Sequence, residues 1–435
     1  MEDILNKKGK FWVVGDEETK FDATLDYDSD YILKTDLDSS LAEKFNEMII
    51  FVGEIDGIPV TLYKSSLSAW YGNLEFMVQY IFKNYDHCNS VSFKNVQFQF
   101  DKLNKWISDS AHVINMDKME ICVELQNKQI VLDDFTINLL FDDILNKSTK
   151  SPSINFNISY DYNESKDFLD ILKDIKILKN FFIFAIYSNI NLKELKILLR
   201  QDESVQEITV FSKYFTTGSM GYNWYSMLMQ YFEIEDSIET IIKNWFNSYF
   251  KFKPFFDIYF LNIESNLYAE ALLITYVEAL EYFMSHNELY DDKFMKSEEY
   301  ESIFNRFEEF IESLDITDDH KESLKGAVKH GYSYNLRKRL KNLFKKLDKY
   351  DVTRELVREY GKPKDFINIV VFTRNYYTHY GDKNKFVKSG GELLLLDFTL
   401  RLILDLSLLN ELGLSEEYIN KILRKKLEYF PKLLE

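Results

Sequence analysis

The sequence RNYYTH, at positions 374–379, combines an arginine, an asparagine, a threonine and a histidine. An arginine guanidinium can bind a phosphate through two parallel hydrogen bonds. A histidine imidazole can accept and return a proton near neutral pH. Arg374 and His379 are therefore candidate catalytic residues, and Asn375 and Thr378 are candidate supporting residues.

The same six residues also have an explanation that involves no chemistry. A histidine in the last turn of a helix can bond a backbone carbonyl, and an arginine can form a surface ion pair. Chance alone gives about 0.12 Arg-x4-His pairs in a chain of this composition, so the spacing is weak evidence. The rest of the chain has to decide between the two explanations.

The motif is predicted to end a helix that covers residues 364–380. Pro363 precedes this helix, apolar residues fill one side of it, and Gly381 is predicted to end it in the left-handed conformation. On an ideal helix, residues five apart point about 140° away from each other. Arg374 and His379 of one chain would not converge unless the last turn unwinds, whereas two copies related by a two-fold axis would converge more easily.

Composition and charge bound the class of protein. The 435 residues carry a net charge of −18, which argues against a non-specific coat on nucleic acid. Residues 321–346 nevertheless hold nine Lys or Arg and one acid, either as a solvated helix face or as a local positive surface. The candidate RNA-binding residues within this run are Arg337, Lys338, Arg339 and Lys341.

The sequence predicts a soluble cytoplasmic protein without a membrane span. Its start is charged, no uncharged apolar run reaches 18 residues, and Cys88 and Cys122 are too few for a disulfide framework. His87 and Cys88 are adjacent, so their side chains diverge, and with His112 they form no ligand spacing. No metal site and no cofactor are predicted.

Two patterns divide the chain. Up to residue 233 it is β-rich, with a hairpin signal at Asp56-Gly57, alternating strands at 96–100 and 154–160, and a central strand predicted at 181–187. From residue 234 nearly every segment is helical. The predicted fold class is α+β, with a β-rich domain over residues 1–233 and an all-α helical bundle over residues 234–435.

Two predicted helices carry informative polar residues. In the helix at 267–285, Glu278, Glu281 and Ser285 share one stripe, either exposed in a groove or paired with a neighbouring helix. A functional alternative has Glu281 hold Arg374 or a catalytic water. In the helix at 392–412, charged residues lie at 397, 401 and 405, which predicts a buried helix with one solvated edge.

The order of these motifs resembles the HEPN domain of the ApeA-like family of bacterial antiphage proteins. The resemblance covers residues 235–430 and rests on ALE at 279–281, NLRKRL at 335–340, RNYYTHY at 374–380 and LLNELGL at 408–414. The first half is similar to the ApeA N-terminal domain at GKFW (9–12), VTL (60–62) and residues 98–106. It departs from that pattern at Val13-Val14-Gly15, where a proline and a second glycine are usual.

The resemblance implies a metal-independent ribonuclease in which the substrate's own 2′-OH attacks the adjacent phosphate, leaving a 2′,3′-cyclic phosphate. His379 would act as base and acid, and Arg374 would stabilise the charge at phosphorus. The implied partners are an RNA substrate, a homodimeric or larger assembly formed through the HEPN domain, and a phage-derived trigger. The β-rich half would be a sensor or regulator in abortive-infection defence.

Two other functions fit the sequence. One is a non-catalytic HEPN scaffold that dimerises or binds RNA and carries a ligand-sensing N-terminal domain. The other is a regulatory protein whose function lies in ligand binding by the N-terminal half. The presence of both Arg374 and His379 favours the nuclease, because a scaffold would not need both.

Overall fold

The computed structural model divides the chain into two compact units, Met1–Lys243 and Asn244–Glu435. The structure describes residues 3–45, 47–69, 72–86, 91–108, 113–115, 120–122, 125–145, 152–201, 204–215, 227–265, 267–290, 292–381 and 383–429. His87, Cys88 and His112, which were considered as metal ligands, lie outside the described residues. The domain boundary between residues 233 and 234 stays a prediction.

The N-terminal unit is built on one twelve-stranded antiparallel sheet and a separate two-stranded sheet. Alternating apolar residues form its strands, because every second side chain faces the core. The strands are β1 (Lys8–Val13), β2 (Asp16–Tyr27), β3 (Tyr31–Asp38), β4 (Ile49–Ile55), β5 (Ile58–Ala69), β6 (Asn73–Lys83), β7 (Ser92–Phe100), β8 (Val113–Asn115), β9 (Glu120–Cys122), β10 (Lys128–Val131), β11 (Phe135–Leu145), β12 (Pro152–Asp167), β13 (Leu192–Gln201) and β14 (Ser204–Phe211).

Six of these strands close into a barrel in the order β6-β3-β2-β1-β4-β5, since β5 pairs back onto β6. The predicted hairpin is confirmed: Ile55 pairs with Ile58, and both turn residues, Asp56 and Gly57, have positive φ. The interior is aromatic, with the rings of Phe51 and Phe76 4.8 Å apart. Closure removes the exposed edges that such apolar strands would otherwise present.

The remaining strands extend from β6 in the order β14-β13-β7-β12-β11-β10. Helix α2 (Phe168–Ile186) packs against β12 and β7 of this part of the sheet. Its side chains are buried on nearly all sides. The strand predicted at 181–187 is therefore wrong, because residues 181–186 belong to α2 and Tyr187 is its left-handed C-terminal cap. A short apolar run that is buried all round has no periodicity to distinguish a helix from a strand.

From residue 238 onward the named elements are helices. Two short helices come earlier, α1 (Leu103–Ser108) and α3 (Tyr231–Ile234). The helices that follow are α4 (Ile238–Lys251), α5 (Lys253–Glu264), α6 (Ala269–His286), α7 (Ser297–Glu312), α8 (Asp318–Lys329), α9 (Leu336–Leu347), α10 (Val352–Leu356), α11 (Pro363–His379), α12 (Gly391–Glu411) and α13 (Glu416–Tyr429). The predicted fold class, a β-rich region followed by a helical bundle, is confirmed.

Helices α6 and α12 form the centre of the C-terminal unit and pack against each other. Within the described part of the chain, no helix is both long enough and apolar enough to cross a membrane. The solvated edge predicted for α12 is wrong, because Asp397 and Asp405 are 4% and 0% exposed. The hydroxyl of Tyr259 donates to Asp405 Oδ1 at 2.5 Å. Neighbouring helices thus cover the stripe that the sequence pattern assigns to solvent.

Asp397 is an unusual carboxyl group in this core. Neither of its carboxylate oxygens has a hydrogen-bond partner among the described residues. Burial raises the pKa of Asp397 to about 8, and the nearby carboxylate of Glu270 acts in the same direction. The folded protein therefore holds this proton up to about pH 8, whereas the unfolded chain loses it near pH 4. Stability falls as pH rises through that window, because the ionised form is disfavoured only in the folded state.

Asp397→Asn should remove this pH dependence. Between pH 5 and pH 9 the variant should gain about 4 kcal/mol relative to the parent, since about three pKa units of linkage disappear. Urea unfolding of the full chain at a series of pH values, followed by circular dichroism, measures the gap in unfolding free energy between the variant and the parent. Asp315→Asn, at an exposed position, is the matched control and should leave the parent's profile unchanged. A gap that stays constant with pH would show that Asp397 is already ionised when folded.

Candidate active site

Helix α11 carries the RNYYTH motif on its last turns. Pro363 is its first residue and not the residue before it, a position where the missing N–H costs nothing. The helix ends at His379, and Tyr380 adopts the left-handed conformation with φ 48°. The prediction that Gly381 is the left-handed residue is wrong. The Tyr380 N–H donates to the Tyr376 carbonyl at 2.6 Å, so the helical bonding pattern extends past His379.

Arg374 lies against a carboxylate of α6. Its Nη2 is 3.9 Å from Oε2 of Glu281, and Oε1 of Glu281 is 4.0 Å from Nη1 of Arg339 on α9. One half-buried carboxylate thus lies between two guanidinium groups from different helices. Burial raises the pKa of Glu281, while the charges of Arg374 and Arg339 oppose that rise. Glu278, on the same stripe, is exposed.

The guanidinium of Arg374 keeps unused donors. Its Nη1 donates to Oδ1 of Asn375 at 3.3 Å. Its Nε is buried and has no hydrogen-bond partner among the described residues. A buried donor without a partner is costly, so this guanidinium has an unmet hydrogen-bonding requirement. Arg374 is therefore oriented by the protein and keeps an N–H donor without a partner among the described residues.

His379 is exposed at the end of α11. Within the described ranges its ring makes no hydrogen bond and no ion pair, so the carbonyl-bonding explanation finds no support there. Thr378 Oγ1 donates to the Arg374 carbonyl at 2.8 Å, and α11 is helical through His379. Arg374 and His379 therefore point about 140° apart around one helix. The structure brings together Arg374, Asn375 and Glu281, and it leaves His379 separate from them.

Two protein-family models match this chain. The sequence model described as ApeA N-terminal domain 1 matches residues 6–245, more than half of the chain, and the one described as Apea-like HEPN matches residues 274–418. The chain belongs to the ApeA family. No curated protein and no solved structure matches it. Since HEPN domains are generally ribonucleases, membership supports a nuclease role in that general sense.

The four basic residues predicted to bind RNA separate into two groups in the ApeA-like HEPN domain. Arg339 turns inward, donating from Nε to the Tyr334 carbonyl at 2.8 Å and from Nη1 to Ser285 Oγ at 2.9 Å. Arg337, Lys338 and Lys341 are exposed. Their assignment to RNA binding stays a prediction, but Arg339 has a structural role that the charge pattern alone did not indicate. Its helical offset from Arg337 and Lys341 is the signal that separates it.

The loop that follows α11 packs back against the helix and forms hydrogen bonds with two of its residues. Thr373 Oγ1 accepts from the Lys388 N–H at 3.1 Å, and the Tyr377 hydroxyl donates to the Lys388 carbonyl at 3.1 Å. Tyr377 therefore positions the loop at 383–390. These contacts have no signal in the sequence, because nothing in the local pattern shows which loop returns to the helix.

Among the described residues, no group of three or more His, Cys, Asp or Glu could hold a metal ion.

Replacing Arg339 should destabilise the helical domain. Arg339→Met keeps much of the aliphatic volume but removes two hydrogen bonds from a charged donor, which should cost about 1–3 kcal/mol of unfolding free energy. Lys338→Met changes the same charge at the next, exposed residue and should be nearly neutral. Thermal and urea denaturation of the full chain compare them. Equal stability of the two variants would mean that Arg339 does not join α9 to α6.

Proposed function

We propose that this ApeA-family protein is a HEPN-type metal-independent endoribonuclease acting in abortive-infection defence against phage. The observation that carries the proposal is the end of α11 within the HEPN match. There, an arginine held by Glu281 keeps unpaired donors, and an exposed histidine has no described partner. A cation with free donors and an accessible proton carrier are what phosphodiester transfer requires.

In the proposed reaction His379 removes the proton from a ribose 2′-OH, and the 2′-oxygen forms a bond to the adjacent phosphorus. The bond from phosphorus to the 5′-oxygen breaks, and the histidine returns the proton to that leaving oxygen. The products are a 2′,3′-cyclic phosphate and a 5′-hydroxyl, with no water consumed. Arg374 binds the non-bridging oxygens, where negative charge increases in the transition state. DNA lacks the attacking hydroxyl, so cleavage is restricted to RNA.

The supporting residues act through Arg374. Glu281 orients its guanidinium from α6, Asn375 accepts from Nη1, and Thr378 holds the final turn. In this proposal the β-rich half, residues 1–233, senses a phage-derived trigger in the cytoplasm and controls the nuclease. No cofactor takes part.

Cleavage of total RNA by the purified chain should persist in EDTA and disappear in His379→Ala. The reason is that the imidazole of His379 is the proton carrier in the proposed reaction. His320→Ala removes an exposed histidine from α8 and should retain parental activity. Products are read by gel, and their ends by sensitivity to a phosphatase that does not act on cyclic phosphates.

Three results would oppose the proposal. They are cleavage that survives His379→Ala, cleavage that stops with EDTA, and products with linear 3′-hydroxyl ends. A parent that binds RNA without cutting it under any trigger would instead favour the non-catalytic HEPN scaffold.

The geometry of α11 also supports a site shared between two copies. HEPN domains commonly dimerise, and in one chain the intact last turn keeps His379 on a different side from Arg374. A two-fold axis near the end of α11 would bring the Arg374 of one protomer to the His379 of its partner. Each phosphate site would then take one residue from each chain.

Mixing Arg374→Ala protein with His379→Ala protein tests the shared site. If each site draws its two residues from different chains, every mixed dimer has one intact site and one doubly mutated site. Equal mixing with full exchange should restore about a quarter of parental activity, since half of the dimers are mixed and half of their sites are intact. If both residues come from one chain, the mixture stays inactive. A control mixture of His379→Ala with itself should recover nothing, and light scattering reports whether dimers form.

A further inference from the structure

A cavity of about 470 Å³ lies between α9, α10 and the first half of α11, apart from the RNYYTH motif. It lies entirely within the C-terminal unit. Five cations line it, namely Arg337, Lys341, Lys345, Arg354 and Lys364, against a single acid, Asp348. Its size is within the range of sites that bind small organic ligands. So many cations around one cavity need an explanation in a chain with a net charge of −18.

Four of these five cations have no counter-ion among the residues that the structure describes. Arg354 forms a two-bonded pair with Asp348, with N···O distances of 3.1 and 3.2 Å, which occupies the only acid of the lining. Lys341, Lys345 and Lys364 make no hydrogen bond or ion pair with any residue that the structure describes. Three ammonium groups around one cavity repel one another, and attraction to a bound anion would offset that repulsion. The charge distribution therefore indicates a site for a phosphorylated ligand.

The fourth unpaired charge is held in place. Arg337 donates from Nη1 to Oδ1 of Asn368, and its guanidinium carbon lies 5.3 Å from the ring centre of Phe372. These contacts fix the guanidinium between α9 and α11 at the rim of the cavity. The amide nitrogen of Asn368 has no acceptor within the described ranges, so it remains available to a ligand. A planar guanidinium fixed beside an amide is suited to a phosphate or to the edge of a base.

Apolar side chains also line the cavity. Phe344 and Ile367, which are otherwise buried, contribute to the lining together with Pro363. A site for inorganic phosphate alone would not need an apolar surface of this kind. An aromatic ring beside aliphatic groups is a surface on which a nucleobase packs.

The cavity shares one side of α11 with His379. Lys364, Asn368, Asn375 and His379 fall within about 60° of the helix circumference, at 100° per residue. The axial distance from Asn368 to His379 is roughly 16 Å at 1.5 Å per residue. A strand of RNA held in the cavity could therefore continue along the same side of α11 toward His379.

We propose that this cavity binds one phosphorylated nucleotide. Its phosphate lies among Arg337, Lys341, Lys345 and Lys364, and its base packs on Phe344 and Ile367. The same chemistry is offered by a free nucleotide and by a nucleotide within an RNA strand. The site differs from the cleavage motif, and binding there does not depend on cleavage.

Binding is measured with the full chain in EDTA by fluorescence anisotropy. One arm uses a labelled single-stranded RNA in which every ribose is 2′-O-methylated, so that it cannot be cut. The other arm uses a labelled adenine nucleotide, with unlabelled AMP, ATP and inorganic phosphate as competitors. Lys341→Glu and Lys364→Glu should each weaken binding of the true ligand at least about tenfold, because each replaces a phosphate contact with a repulsive charge.

Lys346→Glu is the matched control. It makes the same charge change on an exposed residue of α9 that does not line the cavity. It should change the affinity less than about twofold. Lys341→Met, which keeps the aliphatic stem, should weaken binding severalfold and reduce the salt dependence of log K by about one charge. Melting temperatures equal to the parent's show that all variants are folded.

The two arms separate the sources of the ligand. Tight binding in the nucleotide arm with this variant pattern supports a free nucleotide, and the same pattern in the RNA arm alone supports a nucleotide of a strand. Equal losses in Lys346→Glu and Lys341→Glu would overturn the proposal, as would binding in neither arm. Competition by inorganic phosphate as strong as that by AMP would overturn the role of the apolar lining. Since no arm measures cleavage, failure of the nuclease proposal would leave these results interpretable.

Discussion

The HEPN domain depends on one carboxylate, Glu281, that lies between the guanidinium groups of Arg374 and Arg339. Three helices, α6, α9 and α11, meet at this point. A half-buried carboxylate that lost one of these partners would be left with a desolvated charge, so the three helices constrain one another. The distances of 3.9 and 4.0 Å are long for direct hydrogen bonds. Glu281 thus orients Arg374 electrostatically while leaving its donors available.

Helical continuity places a second constraint on the site. The backbone bond from the Tyr380 N–H to the Tyr376 carbonyl continues the helical pattern, so α11 is regular to its end. A regular helix separates Arg374 from His379, whereas the proposed chemistry needs both near one phosphate. The proposed site shared by two protomers would resolve this conflict. It makes assembly part of the proposed catalytic mechanism and offers a physical reason for control of activity by association.

The same helix also organises the charges of the domain. Its first half lines the cationic cavity, and its last turn carries the motif. Arg337 and Lys341 of α9 belong to the cavity, while Arg339 belongs to the Glu281 cluster. Neighbouring residues of one basic run thus have different roles, because successive positions on a helix point 100° apart. The core of the domain contains a carboxyl group, Asp397, whose burial favours its neutral form.

Sequence patterns by themselves determined much of this protein. Alternation and turn residues identified the strands and the Asp56-Gly57 hairpin, and helical periodicity identified most of the helices, because both signals are local. The RNYYTH motif and its neighbours were sufficient to indicate the family. The polar stripe of α6 left several partners open for Glu281, of which Arg374 was one.

Only the tertiary structure decided where burial overrides the local pattern. The run at 181–187 continues a helix because neighbouring elements cover it on all sides, and periodicity cannot report that. Asp397 and Asp405 are buried although their spacing resembles a solvated stripe. The division of the basic run between a structural contact and a cavity likewise depends on which helices lie opposite α9. Each of these outcomes depends on residues distant in sequence, and a single sequence contains no signal for such contacts.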